Sequence, residues 1–267
     1  MPRGLVKFRR LLAMEWSKAA QYRLDMLLWS LTEASVPLIS LAVWYRVATQ
    51  GHSTVNGQDI ITYYIFIIFI NLLTSAWSGY FLSRDILSGE IVKYLIRPFS
   101  VIWDQTANNV AEKMLRLIIP LPVLIVAIAL APHFFSSTIY QPAHIAGFII
   151  SLLFGMVIAF VLDLNIGVIA FWLEDVNQLR SYKFLLQEIT SGTMIPFVLL
   201  PAAIHTAFSY LPFRYIISLP AELLLGQVEG SQAWQLLGVQ VGWMVGLSLL
   251  LAFLWKQGLK NYAPPGQ

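Results

Sequence analysis

The sequence predicts an all-α integral membrane protein with six transmembrane helices, and three features carry that reading. Charged residues make up 12% of the chain and apolar ones 58%. A soluble domain carries about 25% charged residues and needs them to wet its surface. The segments 60–83, 117–162, 189–213 and 230–255 contain no Asp, Glu, Lys or Arg, and about 20 such residues carry a helix across a bilayer. Finally, threading the chain through six spans puts nearly all of the 17 Lys and Arg residues on one side.

The elements follow in order. Residues 1–23 read as a cytoplasmic interfacial helix. Leu5, Phe8, Leu12, Trp16 and Ala19 recur at three- and four-residue steps, while Lys7, Arg10 and Lys18 lie off that stripe. Such a basic amphipathic pattern suits a helix lying in the membrane surface, although a solvated leader to the first span would show it too. A single transmembrane domain is expected over 24–260, with spans at 26–48, 59–82, 114–131, 143–172, 184–204 and 233–256. The run 117–162 holds two of these, divided at APHFFSSTIYQPAH (131–144) by two prolines and a polar cluster. Segment 205–230 is apolar but cut by Pro212 and Pro220, and too short for two more spans. An outer re-entrant hairpin is expected there, because non-helical backbone at membrane depth needs protein or a wet cavity around it. The basic start is followed by no unbroken apolar run, so no cleaved signal peptide is expected. Residues 261–267 read as a disordered tail.

Orientation follows from Lys and Arg. With the N-terminus inside, fifteen of them lie inside and only Arg46 and Arg214 lie outside. The expected topology therefore has both termini in the cytoplasm, in a bacterial plasma (inner) membrane, with residues 83–113 also inside. Trp44, Trp77, Trp172, Trp234 and Trp255 fall near expected span ends, where amphipathic rings favour the headgroup region.

Several chemistries are excluded by what is missing. There is no G-x-x-x-x-G-K-[ST] phosphate loop, no H-E-x-x-H, no G-x-S-x-G and no cysteine. The four histidines have no metal-ligand spacing. No metal, bound cofactor, enzymatic activity or nucleic-acid partner is expected of this chain. What remains is intramembrane charge, a usual mark of function. Nine Leu, Ile and Val residues in 27–47 favour insertion by about 3 to 5 kcal/mol, and a central carboxylate costs about 2.5 to 3.5 kcal/mol, so Glu33 cancels most of that gain. Glu33 therefore needs protein neighbours or a wet face. Asp163 and Glu188 read as pathway groups or as partners of Arg180 or Lys183. Asn71 is polar at mid-depth, so it hydrogen-bonds to a neighbour or faces water. With Glu33 and Trp77 it forms the set of translocation-cavity candidates. Gly238, Gly242 and Gly246 are spaced for close helix packing.

The stretch SGEIVKYLIRPFS (88–100) interrupts two apolar runs with charge. Ile91, Tyr94 and Leu95 make one edge at helical spacing; Glu90, Lys93 and Arg97 make another; and Pro98 should end the helix. The pattern suits a short cytoplasmic helix docking on a soluble partner, or an ordinary charged loop that enforces topology. S-G-E-I-V-K-Y-L-I-R-P (88–98) resembles a motif of the ABC-2 type transporter permease family. T-S-G-T-M-I-P-F (190–197) is similar to that family's approach to the outer end of span five. L-P-F-R-Y-I-I-S-L-P-A-E-L-L-L-G (211–226) resembles its outer re-entrant segment.

The resemblance covers nearly the whole chain and implies a permease subunit of an ATP-binding cassette exporter. Two permeases, identical or homologous, would pair in the bilayer above two copies of a cytosolic ABC ATPase, which bind ATP and Mg. The family's coupling helix carries over to residues 85–98, with Asp85, Gly89, Glu90, Arg97 and Pro98 as ATPase-coupling positions. The expected function is export of an amphiphilic or apolar small molecule by alternating access. The alternative is a proton-coupled secondary carrier using Glu33 or Asp163. An import permease, an intramembrane enzyme and a membrane anchor complete the set of readings.

Overall fold

The computed structural model describes residues 3–21, 23–50, 55–95 and 100–262. All regular structure among them is helical. The α-helices run α1 (Arg3–Gln21), α2 (Arg23–Thr49), α3 (Gly57–Thr74), α4 (Ser78–Leu87), α5 (Val92–Leu95), α6 (Val101–Leu117) and α7 (Pro120–Leu130). They continue as α8 (Pro142–Val168), α9 (Asn177–Thr190), α10 (Ala202–Ser209), α11 (Pro212–Ile216), α12 (Ser218–Leu224) and α13 (Gly230–Asn261).

Among the described residues, four tracts are long and apolar enough to cross a membrane: Gly57–Leu87, Val101–Leu130, Pro142–Phe171 and Gly230–Lys260. They correspond to the second, third, fourth and sixth expected spans. The first expected span is one helix, α2, of 27 residues, or about 40 Å. It is long enough to cross a bilayer. The fifth is where the structure departs most. No continuous helix covers 184–204: α9 stops at Thr190, Ser191–Pro196 is non-helical, a 3-10 turn covers Phe197–Leu199, and α10 begins at Ala202. Gly192 takes a φ of 92° there, and Pro196 and Pro201 cannot donate to a helix. The exposed backbone is satisfied from elsewhere. Tyr63 donates to the Gly192 carbonyl at 2.9 Å, and Tyr64 and Trp44 donate to that of Met194 at 3.1 and 2.9 Å.

The core lies around α3, α4, α8 and the α11–α12 pair. In the apolar window of Gly57–Leu87, 61% of the residues are buried, against 11% for Val101–Leu130. Gly57–Leu87, called tract two after the second expected span, is thus central, and Val101–Leu130, tract three, is a rim element. α7 buries none of its residues, and α13 also exposes Leu249 and Phe253, a surface suited to lipid. α8 can sit at the centre because two of its glycines remove side chains where backbone crosses it. A Cβ at Gly155 would lie 2.8 Å from the Ile216 carbonyl oxygen, and one at Gly167 2.5 Å from that of Gly79. Polar ties add register: Asn165 donates to the Leu247 carbonyl at 3.0 Å, and Gln240 to those of Ser151 and Tyr215.

α1 forms as expected, but its inner face rests on α6. Phe8 stacks edge-on against Trp103 at 5.5 Å, and the buried Glu15 accepts from Asn108 at 3.1 Å. Arg9, Arg10 and Met14 face outward. The expected hairpin at 205–230 becomes α11 and α12, buried almost throughout against α8. Its centre is an ion pair, Arg214 to Glu222 at 2.7 Å, with both side chains only 4% exposed. Ser209 accepts from Arg214, Ser218 donates to Glu222, and the guanidinium lies over the Phe197 ring.

Candidate coupling and translocation site

The charged interruption folds as an elbow. α4 ends at Leu87, and Gly89 takes φ 78°, a left-handed turn that only glycine adopts without strain. The turn closes with hydrogen bonds from Ser88 N to Arg84 O and from Ile91 N to Asp85 O, at 2.9 and 2.8 Å. Ile91 is fully buried and anchors the elbow, and the single turn α5 follows. Glu90 and Lys93 pair at 2.6 Å on the outer side, their side chains 57% and 36% exposed. The bond to Lys93 holds the Glu90 carboxyl below its usual range. Asp85 points inward, 3% exposed, with Lys93 at 3.8 Å and Arg84 at 3.9 Å. Arg97 and Pro98 lie outside the described residues, as does the end that Pro98 was expected to give the helix.

Two further aromatic hydroxyls hold this elbow; the sequence placed Tyr94 only on an apolar edge and gave no reading of Tyr262. The Tyr94 hydroxyl lies 3.1 Å from Asp85 Oδ2 and 3.1 Å from Asp104 Oδ2. Burial and the two carboxylates push its phenol up, so it stays a donor. Tyr262, just past α13, donates to the Ile86 carbonyl at 3.1 Å. The only advance signal was an aromatic residue within a short charged segment.

Above the elbow, tract two is broken at Ser75–Trp77. Charged side chains from four other helices, α2, α6, α8 and α9, gather around the break. Arg116 on α6, 3% exposed, donates to Ser75 Oγ at 2.9 Å, to Glu33 at 2.8 Å and to Glu112 at 2.6 Å. Asp163 on α8 accepts from Gly79 N at 2.7 Å and so caps the start of α4. Its other oxygen faces Lys183 Nζ at 3.8 Å. Lys113 donates to Asn109 at 2.5 Å. Glu33 thus has the protein neighbour its sequence context demanded, and Asp163 pairs with Lys183.

Trp77 sits at the break, not at a span end. It stacks with Trp29 at 5.5 Å and with Phe184 at 6.0 Å, and Arg180 lies over Tyr80 and Trp77. One turn beyond Trp29 on α2 is Glu33, and one turn beyond Phe184 on α9 is Glu188. An aromatic band and a carboxylate band therefore follow one another along the α2 and α9 faces. Glu188 Oε2 is buried without a hydrogen-bond partner. Asn71 is half-buried near the end of α3, where its carbonyl accepts from Ser75 N. Cβ atoms built on Gly238, Gly242 and Gly246 would meet nothing within 4 Å, so among the described residues these glycines pack against no other helix. Among the described residues no cluster could hold a metal ion.

A model of the ABC-2 family transporter proteins matches residues 31–266. The chain belongs to that family. The match begins within α2 and runs through α13, leaving α1 and residues 23–30 of α2 outside. As an ABC-2 permease the chain is the multi-pass membrane subunit of an ABC transporter, not its ATPase, and works with an ABC ATPase. No curated protein matches the ABC-2 permease.

Proposed function

We propose that the chain is the permease half of an exporter that moves an amphiphilic or apolar small molecule out of the cell by alternating access. Two permeases, identical or homologous, pair in the bacterial plasma membrane, both termini inside, over two cytosolic ATPases that bind ATP and Mg. The reading rests first on the elbow. Its charged pair points outward from a glycine turn that joins α4, in tract two, to α6, in tract three. A push there reaches both tracts. Asp85, Gly89, Glu90, Arg97 and Pro98 form that coupling segment.

In this reading Trp29, Trp77 and Phe184, with Glu33, Glu188 and Asn71 beyond them, wall the translocation path. An aromatic band suits the apolar part of a cargo. Cationic partners already occupy Glu33 and Asp163, which speaks against either as the free proton site of a secondary carrier. The glycine face of α13 is free for lipid or for the second permease.

Labelling tests the topology directly. The chain has no cysteine, so Lys93→Cys provides a single thiol. A membrane-impermeant maleimide should reach it in inside-out vesicles and not in intact cells; the reverse result would invert the topology. Purification in mild detergent should recover an ABC ATPase. Export of a hydrophobic dye should stop on ATP depletion and persist with an uncoupler.

A further inference from the structure

We infer that Tyr94 is a positioning residue for coupling: its hydroxyl, held between Asp85 and Asp104, makes the elbow move as one body with α4 and α6. The inference rests on the reading of the elbow as the coupling segment. It gives roles to Tyr94 and Asp104, which are not among the five coupling positions read from the sequence.

The described part of α5 is one turn, Val92–Leu95. Even a helix running to Pro98 would be too short to be stable alone, because nucleation fixes several residues for one hydrogen bond. Its orientation must come from tertiary contacts. On the α4 side the chain runs through Gly89, the residue with the most backbone freedom. A force on Glu90 and Lys93 would swing a loosely held elbow about Gly89 and leave α4 in place. Four contacts oppose that swing: the hydrogen bond from Ile91 N to Asp85 O, the buried Ile91 side chain, the Lys93–Asp85 ion pair and the Tyr94 hydroxyl.

Of these four, the hydroxyl is the one that also reaches α6. Asp85 belongs to the last turn of α4 and Asp104 to the first turn of α6. One phenolic hydrogen serves two carboxylates, so the donor can shift between α4 and α6 without leaving the clasp. Lys93 lies over the Tyr94 ring at 5.1 Å and reaches Asp85 at 3.8 Å. The outward charge is therefore tied to the same point. Since Tyr94 faces the chain's own carboxylates, its loss should leave the outward charges available to the ATPase.

The test uses the full complex of this chain with the ATPase that co-purifies with it, in lipid nanodiscs. Tyr210→Cys, at a position 76% exposed, carries an environment-sensitive fluorophore on the face expected to be outer. ATP with vanadate should shift its emission in the otherwise unmodified chain. Tyr94→Phe keeps the ring and removes only the hydroxyl. Asp104→Ala removes one acceptor and leaves Tyr94 intact. Each should retain the ATPase and its hydrolysis while losing most of the emission shift, and the double variant should lose no more than either alone. A full shift in Tyr94→Phe overturns the proposal, and so does an additive loss in the double variant. Loss of the ATPase from both single variants would make the contact structural only, and also overturns it. An unmodified chain that binds no ATPase or shows no shift refutes the reading of the elbow, and the clasp falls with it.

Discussion

Asp163 serves two groups at once, and both are buried: one carboxylate oxygen caps α4 through Gly79 N and the other faces Lys183. Removing one partner of a buried pair strands the other, which costs about 3 to 5 kcal/mol. Asp163→Asn should therefore lower stability in detergent by about 3 kcal/mol. Adding Lys183→Met should recover part of that loss, because the stranded charge goes with it. An additive double variant would disprove the pairing. The contact beside it is stricter. A Cβ on Gly79 would sit 2.0 Å from the Asp163 carbonyl oxygen, and backbone cannot give way as a side chain can. Gly79→Ala should cost about 3 kcal/mol or more and yield little folded protein on size exclusion. At this scale the sequence was half legible. A charge in an apolar run announces that it needs a partner, and Arg180 and Lys183 were the near cations for Asp163. Glu188 read either as a pathway group or as a partner of the same cations, and it has a buried oxygen without a hydrogen-bond partner. Gly79 and Gly167 carried no signal at all, because close approach of distant backbones leaves no periodic trace in either helix.

Among the elements, the elbow and the break after α9 show why local signals differ in reach. The elbow's turn was readable because a glycine followed by charge is local chemistry, and Gly89 does take the left-handed conformation. Gly89→Val should strain that turn by about 1 to 3 kcal/mol and reduce the ATP-driven emission shift. Gly89→Asn, which tolerates the same φ, should retain more of it; equal effects would show that the conformation is not what matters. The α9 break was misread as part of a span, because apolar content says that a segment lies in a greasy setting and not that it is helical. Gly192, Pro196 and Pro201 were the warning. What permits the break is distant in sequence: Tyr63, Tyr64 and Trp44 supply the donors that a helix would have supplied itself. The Tyr94 clasp was hidden for the same reason, since its two carboxylates lie on different helices.

For the whole molecule, composition sufficed for the all-α membrane class. Packing order was not legible, because apolar residues facing lipid and apolar residues facing protein look alike in sequence. Gly238, Gly242 and Gly246 illustrate this: they are spaced for close packing, yet among the described residues no other helix meets them. Gly242→Leu should leave the chain's unfolding midpoint nearly unchanged, in contrast to Gly79→Ala. The seating of α11 and α12 has a larger consequence. Arg214 and Glu222 tie α11 to α12. Gln240 of α13 donates to the carbonyls of both Tyr215 in α11 and Ser151 in α8, and Gly155 lets the α11 backbone lie against α8. Swinging the pair open like a door would strand a buried amide at about 1 to 3 kcal/mol and uncover a packed apolar face. The roof should therefore stay bolted to α8 through every turnover, and cargo should depart through a seam beside it. A rivet can check this. A Cβ on Gly147 of α8 would lie 3.6 Å from the Leu223 Cβ of α12, within disulfide reach. Gly147→Cys with Leu223→Cys should oxidise readily and leave dye export intact, whereas a roof that must lift would be jammed by it.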